Sequence, residues 1–417
     1  MSSTDRGAER DAALGTPALR RVVAVLSVTQ IVSWGCLYYG FAALQSAIVA
    51  DTGWSGVAVT GAFSLSQLVS GGVGIWVGRH LDRYGPRAVM TGAALVAVPG
   101  MALVALAPTL AWFYAGWVVV GVAMAGALYP PAFAALTRWG GERRVGALTA
   151  VTLAGGLAST VFAPLATAVE QAAGWRVAYL VLLAVVVSVT LPLCWWGLDR
   201  PWRPHPHDPR DAGGGLADPA PVTRSRAFVV LTAANALTAL AVFAVVVNLV
   251  PMLLEQGRSA WLASVVLGLG GVGQFLGRLG YARFAAATTV TTRAVLVVGG
   301  VAAATAAFAL ASQAALVVAL GMLLGLARGV YTLVQATAVT DRWGPRSYGR
   351  LNGVLTAPAL VASAVAPFAG AALADLLGSY ADAFLVLAGV AAVAAVLMLG
   401  ATPVAVSGSR SRRAPAG

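Results

Sequence analysis

Two arginines, Arg278 and Arg328, lie inside runs that are otherwise almost wholly apolar. A guanidinium stays charged at any ordinary pH, and its planar fork matches a carboxylate through two parallel hydrogen bonds. In apolar surroundings such a cation needs an aqueous cavity or a partner. Gln274 stands four residues before Arg278, while Tyr331 and Gln335 follow Arg328 at three and seven residues. On helices, each of these polar groups shares a face with its arginine. No acidic residue occupies the middle of any apolar run. Two cations around one cavity repel each other, and an incoming anion relieves that repulsion. Reversible binding of a small organic anion is the chemistry these residues predict. Two blander arrangements would also accommodate them: Arg278 snorkelling to the nearer end of its helix, and Arg328 held by backbone carbonyls that Pro358 or Pro367 set free.

Tyr129 precedes Pro130-Pro131, a pair that must disturb a helix and can turn the phenol inward. Tyr38, Tyr39, Gln45 and Asn248 are further polar groups in apolar runs, available to the same cavity. Covalent and metal chemistry find no support. Cys36 and Cys194 are isolated in apolar sequence, and His80, His205 and His207 lie at or beyond the ends of apolar runs. No nucleophile–base grouping occurs, so neither an enzyme nor a cofactor nor a metal is expected.

The elements that must position these groups are membrane helices. Of 417 residues, 59% are hydrophobic and 10% charged, against roughly a quarter charged in soluble domains. The apolar residues fall in blocks of ~20, the hydrocarbon thickness at helical rise, with no period-two alternation. Twelve spans are expected, at 22–49, 57–80, 88–107, 111–137, 145–170, 175–197, 227–254, 260–284, 291–311, 314–340, 349–376 and 380–401. With the N-terminus cytoplasmic, 23 of the 27 basic residues, all of them Arg, fall on the cytoplasmic side. That distribution orients the chain in a lipid bilayer with both termini cytoplasmic, and it removes the +12 net charge as a sign of nucleic-acid binding. The Arg-only usage suits a GC-rich bacterial genome, hence a cytoplasmic (inner) membrane, and a monomer is expected. No cleavage site follows a short apolar region near the charged N-terminus, so the first span is expected to stay in place.

The fold predicted is an all-α membrane protein of two pseudo-symmetric six-helix bundles. They comprise residues 1–197 and 227–417, joined by a Pro- and Gly-rich cytoplasmic linker at 198–226. Internal similarity supports a duplication. Leu136–Gly140 (LTRWG) matches Thr340–Gly344 (TDRWG) 204 residues on, and Gly72–Arg79 (GVGIWVGR) matches Gly271–Arg278 (GVGQFLGR) 199 residues on.

The loop between spans 2 and 3 reads Gly78-Arg-His-Leu-Asp82-Arg83-Tyr-Gly85-Pro-Arg87. Glycines permit the tight turn, Asp82 can sit at a neighbouring helix N-terminus, and Arg83 and Arg87 hold the loop inside. This pattern resembles the cytoplasmic signature of the major facilitator superfamily. There the loop latches the outward-facing state, its Asp contacting the start of span 11 and an Arg after span 4; Arg138 stands at that last position. The counterpart after span 8 lacks the Asp. Within the superfamily, Gly40-Phe41 through Gly53-Trp54-Ser55, Tyr129–Phe133 (YPPAF), Gly174-Trp175-Arg176 and Gly273–Arg278 resemble the monocarboxylate-transporter branch. The resemblance implies alternating access around a midplane site, small carboxylates as substrates, often a proton as co-substrate, and Arg278 on the substrate carboxylate. Animal members carry a Lys on span 1 and an Asp one turn before the span 8 Arg; neither is present. Uniport, anion exchange, and symport with the substrate carrying the proton all stay open. The rival expectation is proton-coupled efflux of drugs or other lipophilic compounds, which ordinarily needs a membrane-embedded acid.

Overall fold

A computed structural model describes residues 14–202, 220–343 and 348–401. The charged N-terminal segment, linker residues 203–219, Arg346 and the C-terminal tail lie outside them. Among the described residues there are ten helical stretches long and apolar enough to cross a membrane and no strand. Two of the ten are too long for one crossing. Gly56–Ala105, of 50 residues, would reach roughly 75 Å in line, against a hydrocarbon core of ~30 Å. It folds back at Gly85, where φ is 81°, and Gly146–Gly197 does the same at Gly174, where φ is 84°. Both are left-handed turns that glycine makes without steric cost. Twelve crossings result, as the apolar blocks predict.

In chain order the crossings are α1 (Thr16–Thr52), α2 (56–84), α3 (86–105), α4 (Leu110–Gly140), α5 (146–173), α6 (175–197), α7 (Arg226–Glu255), α8 (Ala260–Ala287), α9 (Val290–Leu310), α10 (Ala314–Thr337), α11 (Tyr348–Leu377) and α12 (Tyr380–Leu399). Ser55, Thr109, Ser225, Ser259, Thr289 and Ser379 cap helix starts, each side chain accepting a backbone N–H that has no partner in its own helix.

Prolines interrupt two helices that reach the central site. Pro131 has no N–H for the Ala127 carbonyl, α4 leaves helical geometry at Leu128, and Gln30 of α1 donates to that carbonyl at 2.9 Å. Pro251 likewise leaves the Val247 carbonyl of α7 without its helical donor, and Gln45 supplies one at 2.6 Å. This second bond joins α1 to α7.

Further hydrogen bonds link α1–α6 to α7–α12: Ser64 accepts from the Phe368 N–H at 3.1 Å, Thr160 donates to the Gly268 carbonyl at 2.7 Å, and Thr167 pairs with Ser264. All sit towards the helix ends opposite the Arg-rich loops.

α8 and α10 meet backbone to backbone. A Cβ on Gly273 would strike the Met322 carbonyl, one on Gly325 the Gly270 carbonyl, and one on Gly329 the Gln274 carbonyl. Such contact needs small residues on the facing stripes, as membrane helices commonly provide.

The two Arg-rich corners differ. In the first, residues just after α6 tuck beneath the α2–α3 turn. The Trp202 ring lies against Gly85, where a Cβ would come within 2.7 Å, and its indole N–H donates to the Asp82 carbonyl at 3.0 Å. Arg138 lies over the same ring at 4.5 Å, and Trp139 donates to the Pro201 carbonyl at 3.1 Å. Arg87 pairs with Asp199 at 2.6 Å and covers Trp195 at 4.4 Å. In the second corner, Arg293 at the start of α9 pairs with Asp341 after α10, and Thr337 also donates to Asp341 at 2.9 Å. Next to this pair, burial and the nearby Arg293 push the Arg342 guanidinium down to about 10 against the opposing pull of Asp341. It remains a cation at neutral pH.

Candidate functional site

The central site is assembled from α1, α4, α5, α8 and α10. Arg328 is 8% exposed, inside α10, and its Nη2 reaches the Gln274 amide oxygen on α8 at 3.4 Å. Arg278, one turn after Gln274, extends across to the other six helices: it donates to the Thr152 carbonyl of α5 and is within electrostatic reach of the Tyr129 phenol, which follows the break in the middle of α4. Arg278 and Arg328 are close enough to repel each other. The Nε of each is buried with no hydrogen-bond partner. Their neighbours are neutral amides, phenols and carbonyls. In such a setting two cations are poorly compensated, because neutral acceptors return only part of the hydration they replace.

Arg278 meets the Thr152 carbonyl near the Arg-rich end of α5, and Arg328 meets the Gln274 side-chain amide.

Other expected residues divide into those near the arginines and those used elsewhere. Tyr39 lies under Arg328, ring centroid 5.9 Å from the guanidinium carbon, and Tyr38 is also within electrostatic reach of it. Tyr331 turns away, its hydroxyl donating to the Asn235 side chain of α7 at 2.5 Å. Asn248 donates to the Ala244 and Pro367 carbonyls at 2.9 and 3.1 Å, tying α7 to α11. Gln45 is committed to Val247, as described. Gln335 is half-buried nearer the cytoplasmic end of α10.

Residues that the sequence did not single out complete the site. The centre of α1 is a π-helical turn over Gly35–Tyr39, with the Gly40 N–H bonded to the Gly35 carbonyl. Such turns insert a residue into the helical register and are frequent at functional positions. Here the turn collects Trp34, Tyr38 and Tyr39 into one aromatic group: Trp34 lies 5.5 Å from Tyr38 and 5.1 Å from Tyr129, and Tyr38 is 6.4 Å from Phe243 of α7. Gly35 permits it, because any side chain there would collide with Phe162 of α5. Its spacing in the sequence gives no sign of this. The Thr152 carbonyl was equally invisible, being backbone. Beside Arg328 a void of about 30 Å³ opens among Val245, Val266, Gly270 and Thr305. That is room for about one water.

In the loop at the first corner, Gly78 is half-buried, Asp82 and Arg83 are exposed, and Gly85 forms the turn. Asp82 and Arg138 attract each other electrostatically. The Arg-rich face thus carries a charged, glycine-turned loop held by aromatic and ionic contacts within α1–α6 and the segment that follows them.

The model of the Major Facilitator Superfamily matches residues 26–311. Mouse (Mus musculus) monocarboxylate transporter 11 is 31% identical over 205 residues, 47% of this chain and 44% of that protein. This chain therefore matches less than half the length of that relative. Among solved structures, a bacterial homologue of the human lysosomal transporter Spinster, inward-facing and unoccupied, aligns with a TM-score of 0.71 at 16% identity, covering 93% of this chain and 96% of that one. The nucleoside transporter NupG aligns at 0.68 and 12% identity, covering 91% and 99%. At such identities these structures speak for the fold alone.

Proposed function

The chain belongs to the Major Facilitator Superfamily and is a multi-pass membrane transporter; from that premise we propose that it carries a small organic anion, monocarboxylate-like, by alternating access in a bacterial inner membrane with both termini cytoplasmic. The single observation that carries this reading is the uncompensated pair Arg278–Arg328, one of which bridges to the opposite six helices.

A carboxylate entering between the arginines accepts from both guanidiniums and competes with the Thr152 carbonyl for Arg278. The empty and loaded carriers therefore differ in what joins α8 to α5. Cargo drives a conformational cycle only through such differential contact with its states. In this reading the halves 1–197 and 227–417 rock about the midplane, tethered by 198–226. Bonds such as Gln45–Val247 and Thr167–Ser264 close the side opposite the Arg-rich loops. Cargo then reaches the arginines from the Arg-rich side. The loop of Gly78, Asp82, Arg83, Gly85, Arg87 and Arg138 works as the gate on that side. Gln274 orients Arg328, and Tyr129 orients Arg278.

The test is uptake of a labelled carboxylate panel into proteoliposomes, with and without a pH gradient. Arg278→Lys and Arg328→Ala are each expected to abolish uptake while the protein still reaches the membrane. Undiminished uptake by both variants would overturn the assignment. Dependence on the pH gradient decides between symport of the protonated cargo and uniport or exchange.

A further inference from the structure

We propose that the cargo's body is a flat aromatic ring bearing an oxygen substituent, received by Trp34, Tyr38, Tyr39 and Phe243 while the arginines hold its carboxylate. This rests on the anion reading above and narrows it to aryl carboxylates. Three observations carry it.

The first is composition: Tyr39 of α1 lies 5.9 Å from Arg328, and it belongs to an aromatic group with Tyr38, Trp34 and Phe243 of α7. Aromatic rings prefer tilted or offset contact with other rings at 4.5–7 Å between centroids. The Trp34–Tyr38 and Tyr38–Phe243 pairs, at 5.5 and 6.4 Å, stand tilted and edge-on, the geometry a further ring takes up beside them. The second is the π-helical turn, which places Trp34, Tyr38 and Tyr39 beside one another at a cost in regular helical bonding.

The third is unspent hydrogen-bonding capacity. The Trp34 Nε1–H and the Tyr38 hydroxyl are both buried without a partner, and Tyr38 is only 1% exposed. A buried donor left unpaired is unfavourable, and an oxygen on the cargo accepts from it. A purely aliphatic acid such as acetate or pyruvate reaches the arginines but leaves these donors unsatisfied. Position in the helix agrees with this division: Trp34–Tyr39 fall midway along α1, level with Gln274 midway along α8.

The experiment uses full-length protein in proteoliposomes, with labelled pyruvate and labelled 3-hydroxybenzoate as probes and unlabelled benzoate and cyclohexanecarboxylate as competitors. The expected order of affinity is 3-hydroxybenzoate, benzoate, cyclohexanecarboxylate, pyruvate. Tyr38→Phe and Trp34→Phe are each expected to weaken 3-hydroxybenzoate about tenfold, the loss of one hydrogen bond in a buried site. The loss is expected to be larger for 3-hydroxybenzoate than for benzoate, which brings the same ring without the oxygen. Pyruvate uptake with no preference for the aryl acids overturns this inference and leaves the anion reading standing. Binding of none of the four acids overturns both. Equal losses for 3-hydroxybenzoate and pyruvate in Tyr38→Phe and Trp34→Phe also overturn it, since those side chains would then be structural.

Discussion

The two Arg-rich corners carry matching segments, LTRWG and TDRWG, yet they hold their charges in opposite ways. At the second corner Arg293 is 6% exposed and pairs with Asp341, which also accepts from Thr337. At the first, Asp82 is exposed, and Trp202 lies beneath it against Gly85 and Arg138. An ion pair with one buried partner is costly to leave half-made, so the second corner is held by an internal staple. An exposed carboxylate exchanges partners at little cost. On the proposed transport cycle, the first corner is the one suited to being remade.

The largest expected effect breaks the staple. Asp341→Asn leaves the Arg293 cation buried without its counter-charge and should cost about 3 kcal/mol, read as a lower thermal midpoint in detergent. Asp82→Asn should change that midpoint by less than ~1 kcal/mol while altering the transport rate. Pairing Arg293→Met with Asp341→Leu should recover most of the loss, which distinguishes an orphaned charge from lost packing. A middle effect comes from the aromatic plug. Trp202→Ala removes a cation–π contact, a ring–ring contact and an indole bond, about 1–2 kcal/mol in all. It should speed proteolytic cleavage after α6, and a cleavage rate equal to wild type would separate Trp202 from the turn. The smallest is Arg87→Ala, where the exposed pair with Asp199 is worth at most ~1 kcal/mol, so the midpoint should scarcely move.

The crossings were legible because an apolar block of membrane length is a direct physical requirement rather than a statistical preference. The folds at Gly85 and Gly174 follow from the same requirement, since neither stretch, of 50 and 52 residues, fits otherwise. Within the site, the spacing of Gln274 and Arg278 put both on one helix face; Gln274 meets Arg328, and Arg278 reaches α5. The same reasoning grouped Tyr331 with Arg328, but Tyr331 bonds Asn235 instead. A three-residue step fixes a side chain's angle only to within a helix stripe, and α10 has α7 on one edge of that stripe. Asn248 and Gln45 read as site residues because they are polar in apolar runs; each in fact serves a backbone carbonyl in a neighbouring helix. The pairing of Arg293 with Asp341 joins the start of α9 to the end of α10, where only spatial contact reveals it. Trp34 escaped notice because a π-helical turn changes register without any residue that announces it.

The backbone seam between α8 and α10 has one more consequence. With glycine pressed against carbonyl at several levels, these helices cannot slide or part without large repacking, so Arg278 and Arg328 travel as one fixed jaw. The facing jaw, α1 with its aromatic rings and α5 with the Thr152 carbonyl, is the one that shifts. For the anion proposed above, such a carrier would gauge its cargo as a caliper does, with charge sensed at constant spacing and the length of the molecule setting how far the movable side closes.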